Sequence, residues 1–87
     1  MSSITVIAAF HSRAQTTRLY QSAKQCNIPC GIVNTPREAA VGCGISVSFD
    51  PSHFSQIQRL IYGRSSDGLI GFFRVTRIGN KTTVDRI

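Results

Sequence analysis

The chain has 87 residues, 41% of them hydrophobic, and a formal net charge of +6. That length holds one small domain over residues 1–87, burying roughly 60–65% of the unfolded chain's surface, and leaves no room for a second core. The composition excludes a disordered chain, and no apolar run nears the ~20 residues that a membrane-spanning helix needs.

Ser3–Phe10 is a short apolar run rich in β-branched residues and predicts a buried strand. The opening MSSITVIAAFHSR has no basic segment ahead of that run, so it reads as a first strand and not as a signal peptide. A cytoplasmic location is the resulting expectation. Ser12 suits an N-cap, and Arg13 to Cys26 has helical spacing. Thr16, Leu19, Tyr20, Ala23 and Cys26 recur at steps of three and four on one face, while Arg18, Gln21, Ser22 and Gln25 point away. Asn27 ends the helix.

Ile28–Val33 predicts a second strand with Pro29 at its start. Thr35-Pro36-Arg37-Glu38 matches a capping box, with Thr35 at N-cap, Pro36 at N1 and Glu38 at N3. One short helical turn over Pro36–Val41, closed by Gly42, is expected there. Gly44–Phe49 alternates and predicts a third strand. Asp50-Pro51 then caps a second helix whose apolar stripe is Phe54, Ile57, Leu60 and Ile61, stopped by Gly63. Leu69–Ile78 is a fourth strand, Gly79-Asn80 a hairpin turn, and Lys81–Ile87 a fifth, edge strand. The order β-α-β-β-α-β predicts an α+β fold: a ferredoxin-like antiparallel sheet with two helices on one face and a short extra C-terminal edge strand.

The basic residues are scattered and form no tail, which disfavours nucleic acid as a partner. Cys26, Cys30 and Cys43 make an odd count without a secretory leader, so free thiols are expected rather than a disulfide framework. Nothing resembles the paired clusters of a zinc site, and no metal or cofactor is expected. His53 reads as a surface residue. The acids number four and are dispersed, and there is neither a P-loop nor a nucleophile elbow. Gly68–Val75 (GLIGFFRV) superficially suggests an RNA-binding strand, but that signature belongs on a third strand and here falls on the fourth. Phe72 and Phe73 must also face opposite sides of a strand.

In a split βαβ arrangement, the end of the first strand, the start of the first helix and the Asn34–Gly44 loop share one end of the sheet. His11, Ser12 and Arg13 would then face the loop carrying Cys43. A thiolate is the nucleophilic form of cysteine. A helix amino terminus favours negative charge by roughly 0.3–1 kcal/mol when exposed, and a nearby Arg37 or Arg13 acts in the same direction. Gly42 and Gly44 remove bulk on both sides of the sulfur and leave peptide N–H groups free to face an anion. The alternative is structural: Gly42 as a helix cap, Gly44 as a bend and Cys43 as a small apolar filler. Cys26, on the apolar helix face, is expected in the core, and Cys30 is expected to be packed in its strand. His11 is poised as an acid/base group or stands in solvent.

The segment PCGIVNTPREAAVGCGISVSF, preceded by KQCNIP, resembles a bacterial selenium/sulfur carrier-like family, a domain family of unknown function. The likeness covers roughly Ile4 to Ile61 and rests on Thr35-Pro36-Arg37-Glu38 and Cys43-Gly44. It implies that Cys43 carries sulfur or selenium as a persulfide or selenopersulfide, with Arg37 as the family's arginine. Arg13, Ser12 and the helix amino end would stabilise the anion. A sulfur- or selenium-delivering protein would be the partner, loading a carrier that is not an independent catalyst and has no cofactor of its own. This sequence departs from the family pattern at Asn34 and Cys30 and in its basic balance. Two other readings compete with the carrier: a basic ferredoxin-like module that binds an acidic protein or nucleic acid, and a domain that forms a homodimer through its open sheet face or last strand.

Overall fold

The computed structural model describes residues 2–37, 39, 42–64 and 68–87. It is an α+β fold: a five-stranded antiparallel sheet and two helices. The strands are β1 (Ser2–Phe10), β2 (Cys30–Asn34), β3 (Ile45–Phe49), β4 (Leu69–Ile78) and β5 (Lys81–Arg86), in the order β2-β3-β1-β4-β5. The helices are α1 (Arg13–Gln25) and α2 (Phe54–Arg64). β3 lies between β1 and β2 and runs antiparallel to both. The expected fifth strand is present: Ile78 pairs with Lys81 across Gly79-Asn80, and Gly79 has a φ of 59°.

Strand alternation divides the core. On one face, Val6, Ala8, Phe10, Val47, Phe49 and Phe72 meet Leu19 and Ala23 of α1 and Ile57 and Ile61 of α2, so both helices pack on that side. On the other, Ile7, Ala9, Phe73 and Val75 are buried without a helix over them. Ala39, Ile70 and Val84 pack there, and the Arg86 guanidinium sits 5.8 Å from the Phe73 ring centroid while donating to the Ile70 carbonyl at 2.8 Å. Phe72 and Phe73 are therefore both core residues, one on each face.

Several expectations need correction. Cys26 is exposed at the C-cap of α1, not in the core. The helix ends there because Asn27 turns left-handed at φ 60°. Its N–H bonds to the Lys24 carbonyl at 3.0 Å and that of Ile28 to Ala23 at 2.9 Å, the Schellman pattern. Ile28, 4% exposed, fills the core position that the helical spacing assigned to Cys26. This reversal also delays β2, which begins at Cys30 instead of Ile28. Ser22 is buried, because α1 packs against both the sheet and α2, which widens its covered face. After a 3₁₀ turn over Pro51–His53, α2 continues through Gly63 to Arg64. A glycine costs a helix only about 1 kcal/mol, too little to end it against packing. Glu38, Ala40 and Val41 of the expected loop turn lie outside the described residues. Within them, the Ala39 N–H bonds to the Pro36 carbonyl at 3.0 Å, a single turn. The Thr35 hydroxyl pairs with Ser46 Oγ at 2.6 Å, and the capping bond expected from Glu38 lies outside the described residues.

Candidate functional site

Cys43 ends a connection that starts at Thr35. The Thr35 N–H donates to the Gly44 carbonyl at 2.8 Å and carries the β2–β3 ladder one pair past Asn34 and Ile45. Between these ends the segment crosses to β1: the Cys43 N–H donates to the Phe10 carbonyl at 3.2 Å. Gly42 and Gly44 have φ of 80° and 96°, a region that side chains rarely tolerate. A Cβ on Gly42 would also lie 2.6 Å from the Phe10 carbonyl oxygen, whereas one on Gly44 would meet open space. Both glycines are thus required by backbone conformation, and Gly42 additionally by close approach to β1.

The sulfur is partly buried at the first turns of α1. Its Sγ lies 3.7 Å from Thr16 Oγ1 and donates to the Ile45 carbonyl at 3.6 Å. Thr16, fully buried, also donates to the Ser12 carbonyl at 3.1 Å. The hydroxyl and the thiol have one proton each, so while Thr16 donates to Ser12 and Cys43 donates to Ile45, neither donates across the 3.7 Å contact between them. Rotation of that hydroxyl would turn a donor toward a charged sulfur. The Ser12 hydroxyl is occupied by its own cap, accepting from the Gln15 N–H at 3.2 Å.

The end of β1 therefore brings together Phe10, Ser12, Thr16 and Cys43. His11 follows directly, its N–H bonded to the Gly68 carbonyl at 2.8 Å and its side chain exposed. Arg13 and Arg37 are exposed. Among the described residues, no side-chain hydrogen bond ties His11, Arg13 or Arg37 to the sulfur. Among those residues, too, no three His, Cys, Asp or Glu side chains gather as metal ligands. Cys30 is separate, half-buried in β2, and burial pushes its thiol up while Lys24 opposes the shift. His53 is half-buried and pairs with Gln56 Oε1 at 2.8 Å. No described helix is long and apolar enough to cross a membrane.

Thr16 was visible in the sequence only as one member of the buried face of α1. Its hydroxyl contact depends on where the loop returns, which no local pattern reports. The Thr35–Ser46 pair was missed for the same reason: its partners come from two segments joined only by the ladder.

Residues 5–65 match the profile of a protein family described as "Putative Se/S carrier protein-like". Neither the curated proteins nor the solved structures contain a match to the chain.

Proposed function

This chain belongs to the Se/S carrier-like family, and on that footing we propose that it carries sulfur or selenium on Cys43 as a persulfide or selenopersulfide. The scaffold is read as a ferredoxin-like sheet extended by β5. One observation carries the assignment to Cys43: of the three cysteines, it alone, among the described residues, has its sulfur against a buried hydroxyl in the first turns of a helix, on a backbone tied to β1.

In the loading step the Cys43 thiolate attacks the terminal sulfur of a donor persulfide. A new S–S bond forms, the donor's S–S bond breaks, and the donor leaves as a thiolate. The sulfane sulfur moves without net oxidation, so no oxidant is needed. Thr16 donates to the charged sulfur once its hydroxyl rotates from Ser12. Gly42 and Gly44 hold the backbone, and Ser12 holds the start of the helix. Arg13 and Arg37 contribute positive potential at that end, and His11 is the exposed acid/base group nearest in sequence to the helix start. A sulfur- or selenium-delivering protein supplies the donor, in the reducing cytoplasm where free thiols persist.

The test is incubation with a donor persulfide followed by intact mass and peptide mapping. One added sulfur on Cys43 is expected, retained by Cys26→Ser and Cys30→Ser and lost by Cys43→Ser. Undiminished loading of the Cys43→Ser protein overturns the reading.

A further inference from the structure

β2 is one border of the sheet and β5 the other, and the two differ in kind. β5 reads KTTVDR, with charges that discourage pairing. β2 reads CGIVN, with no charge. Ile32 and Val33 are 42% and 38% exposed, and Asn34 is exposed too.

The register identifies which β2 groups are open. The Thr35 N–H bonds to Gly44, and hydrogen-bonded pairs alternate along an antiparallel ladder. Gly31 and Val33 therefore bond toward β3, while Cys30, Ile32 and Asn34 aim N–H and C=O outward. That edge is about 17 Å long for five residues.

Charge frames it. No acidic residue precedes Glu38 in the sequence. Arg13 and Lys24 are about three turns apart on α1, so they project from one side of the helix. Tyr20 lies on the same side, with Lys24 Nζ 5.6 Å from its ring centroid, and it packs against the same core as Cys30. α1 starts at the Cys43 end of the sheet and packs along β2. The exposed Lys24 therefore flanks the start of the edge, and the exposed Arg13 and Arg37 flank its finish.

We propose that the outer edge of β2 docks an extended segment of a partner protein, uncharged at its centre and acidic at both ends, as an added strand. A second copy of this chain fits less well. Antiparallel self-pairing would set the Lys24 end of one edge against the Arg13 and Arg37 end of the other. A five-residue edge also falls short of the roughly 800 Å² per partner that a stable dimer needs. The edge runs directly into the connection that ends at Cys43, whose own backbone is tied to β1, so a docked strand ends at that connection with β2 between it and the sulfur. That this partner is the one exchanging sulfur rests on the carrier reading; the docking itself does not.

The experiment titrates isotope-labelled protein with the peptide Asp-Asp-Val-Thr-Val-Thr-Val-Thr-Asp-Asp and its lysine-ended counterpart, following backbone amides by NMR. Expected are shifts at Cys30, Ile32 and Asn34 and at the Cys43 segment, with the acidic peptide about tenfold tighter. Ile32→Pro removes one outward N–H without removing a ladder bond and should weaken binding about tenfold. Lys24→Glu should abolish the preference for acidic ends, and Cys43→Ser should bind like the wild type. Shifts confined to β5 or the helices, equal binding of both peptides, or β2 shifts that follow protein concentration without peptide overturn the proposal; the last would assign the edge to a second copy. Persulfide loading, measured separately on the same protein, tests the carrier reading alone.

Discussion

Substituting alanine at Gly42 and at Gly44 separates two reasons for a glycine. At Gly44, φ is 96° and a Cβ meets nothing within 4 Å, so only backbone strain is added. Left-handed backbone costs an L-residue about 1–2 kcal/mol, offset in part by about 0.4–1 kcal/mol from the less flexible unfolded chain. Gly44→Ala should therefore destabilise by about 1 kcal/mol. At Gly42, φ is 80° and the new Cβ falls 2.6 Å from the Phe10 carbonyl oxygen and 3.2 Å from Ile70 Cδ1. The carbonyl is backbone at the end of the central strand β1 and already accepts the Cys43 N–H. Beyond the backbone strain, the loop either stays and overpacks at about 1–3 kcal/mol, or moves off β1 and loses that bond at about 0.5–1.5 kcal/mol along with its packing. The net expectation for Gly42→Ala is about 3 kcal/mol, against a total of roughly 4–13 kcal/mol for a chain of this length.

Urea unfolding of both variants measures the difference, and the alkylation rate of Cys43 reports whether the sulfur has left Thr16. Gly42→Ala should be the less stable protein and should change Cys43 reactivity, while Gly44→Ala should do little to it. Equal stability losses would refute the close approach of the loop to β1.

Two further outcomes follow from titrating groups. Hydrogen bonds from the Ser52 hydroxyl and N–H hold the Asp50 carboxyl below its usual range. A lowered folded pKa gives stability that is complete above the unfolded value near 3.9 and is lost as pH falls through the folded one. The stability gap between wild type and Asp50→Asn, from urea melts, should therefore be constant near neutrality and shrink as the pH drops below about 4. Burial raises the Cys30 thiol and Lys24 lowers it, so iodoacetamide should label the exposed Cys26 ahead of Cys30 at neutral pH. Lys24→Gln should slow Cys30 further, and a faster Cys30 in that variant would contradict the assigned influence of Lys24.

The strands and helices were legible because each carries a local signature. Apolar alternation marks β3, and Ser12 and Asp50 act as the caps that their positions suggest. The errors arise where the chain reverses, as at Cys26, or where packing outranks the local pattern, as at Ser22 and Gly63. Cys26 satisfies the helical spacing, yet the left-handed Asn27 hands its core position to Ile28. Thr35 has the composition of an N-cap, and its hydroxyl also meets Ser46 across the ladder, a contact that no local pattern reports. At the candidate site, glycine beside cysteine was readable as a demand for unusual backbone. Which neighbour imposed the demand was not, because the Phe10 carbonyl is 32 residues upstream of Gly42.

The buried second face of the sheet bears on the same cysteine. Ile7, Ala9, Phe73 and Val75 are 6% exposed or less with no helix above them. Part of their cover comes from Ala39, which belongs to the connection that delivers Cys43 to β1. Burial of that apolar face, at roughly 25 cal/mol per Å², thus helps to hold the loop as well as the sheet. The described residues of the loop are held by Thr35 on Gly44 and Ser46, by Ala39 on the second face and by Cys43 on Phe10. The peptide N–H of Cys43 and the side chain of Ala39 thus hold the loop without using the sulfur. Among the described residues the thiol itself makes weak contacts, at 3.6 Å to the Ile45 carbonyl and 3.7 Å to Thr16 Oγ1, so the loop's position does not depend on them.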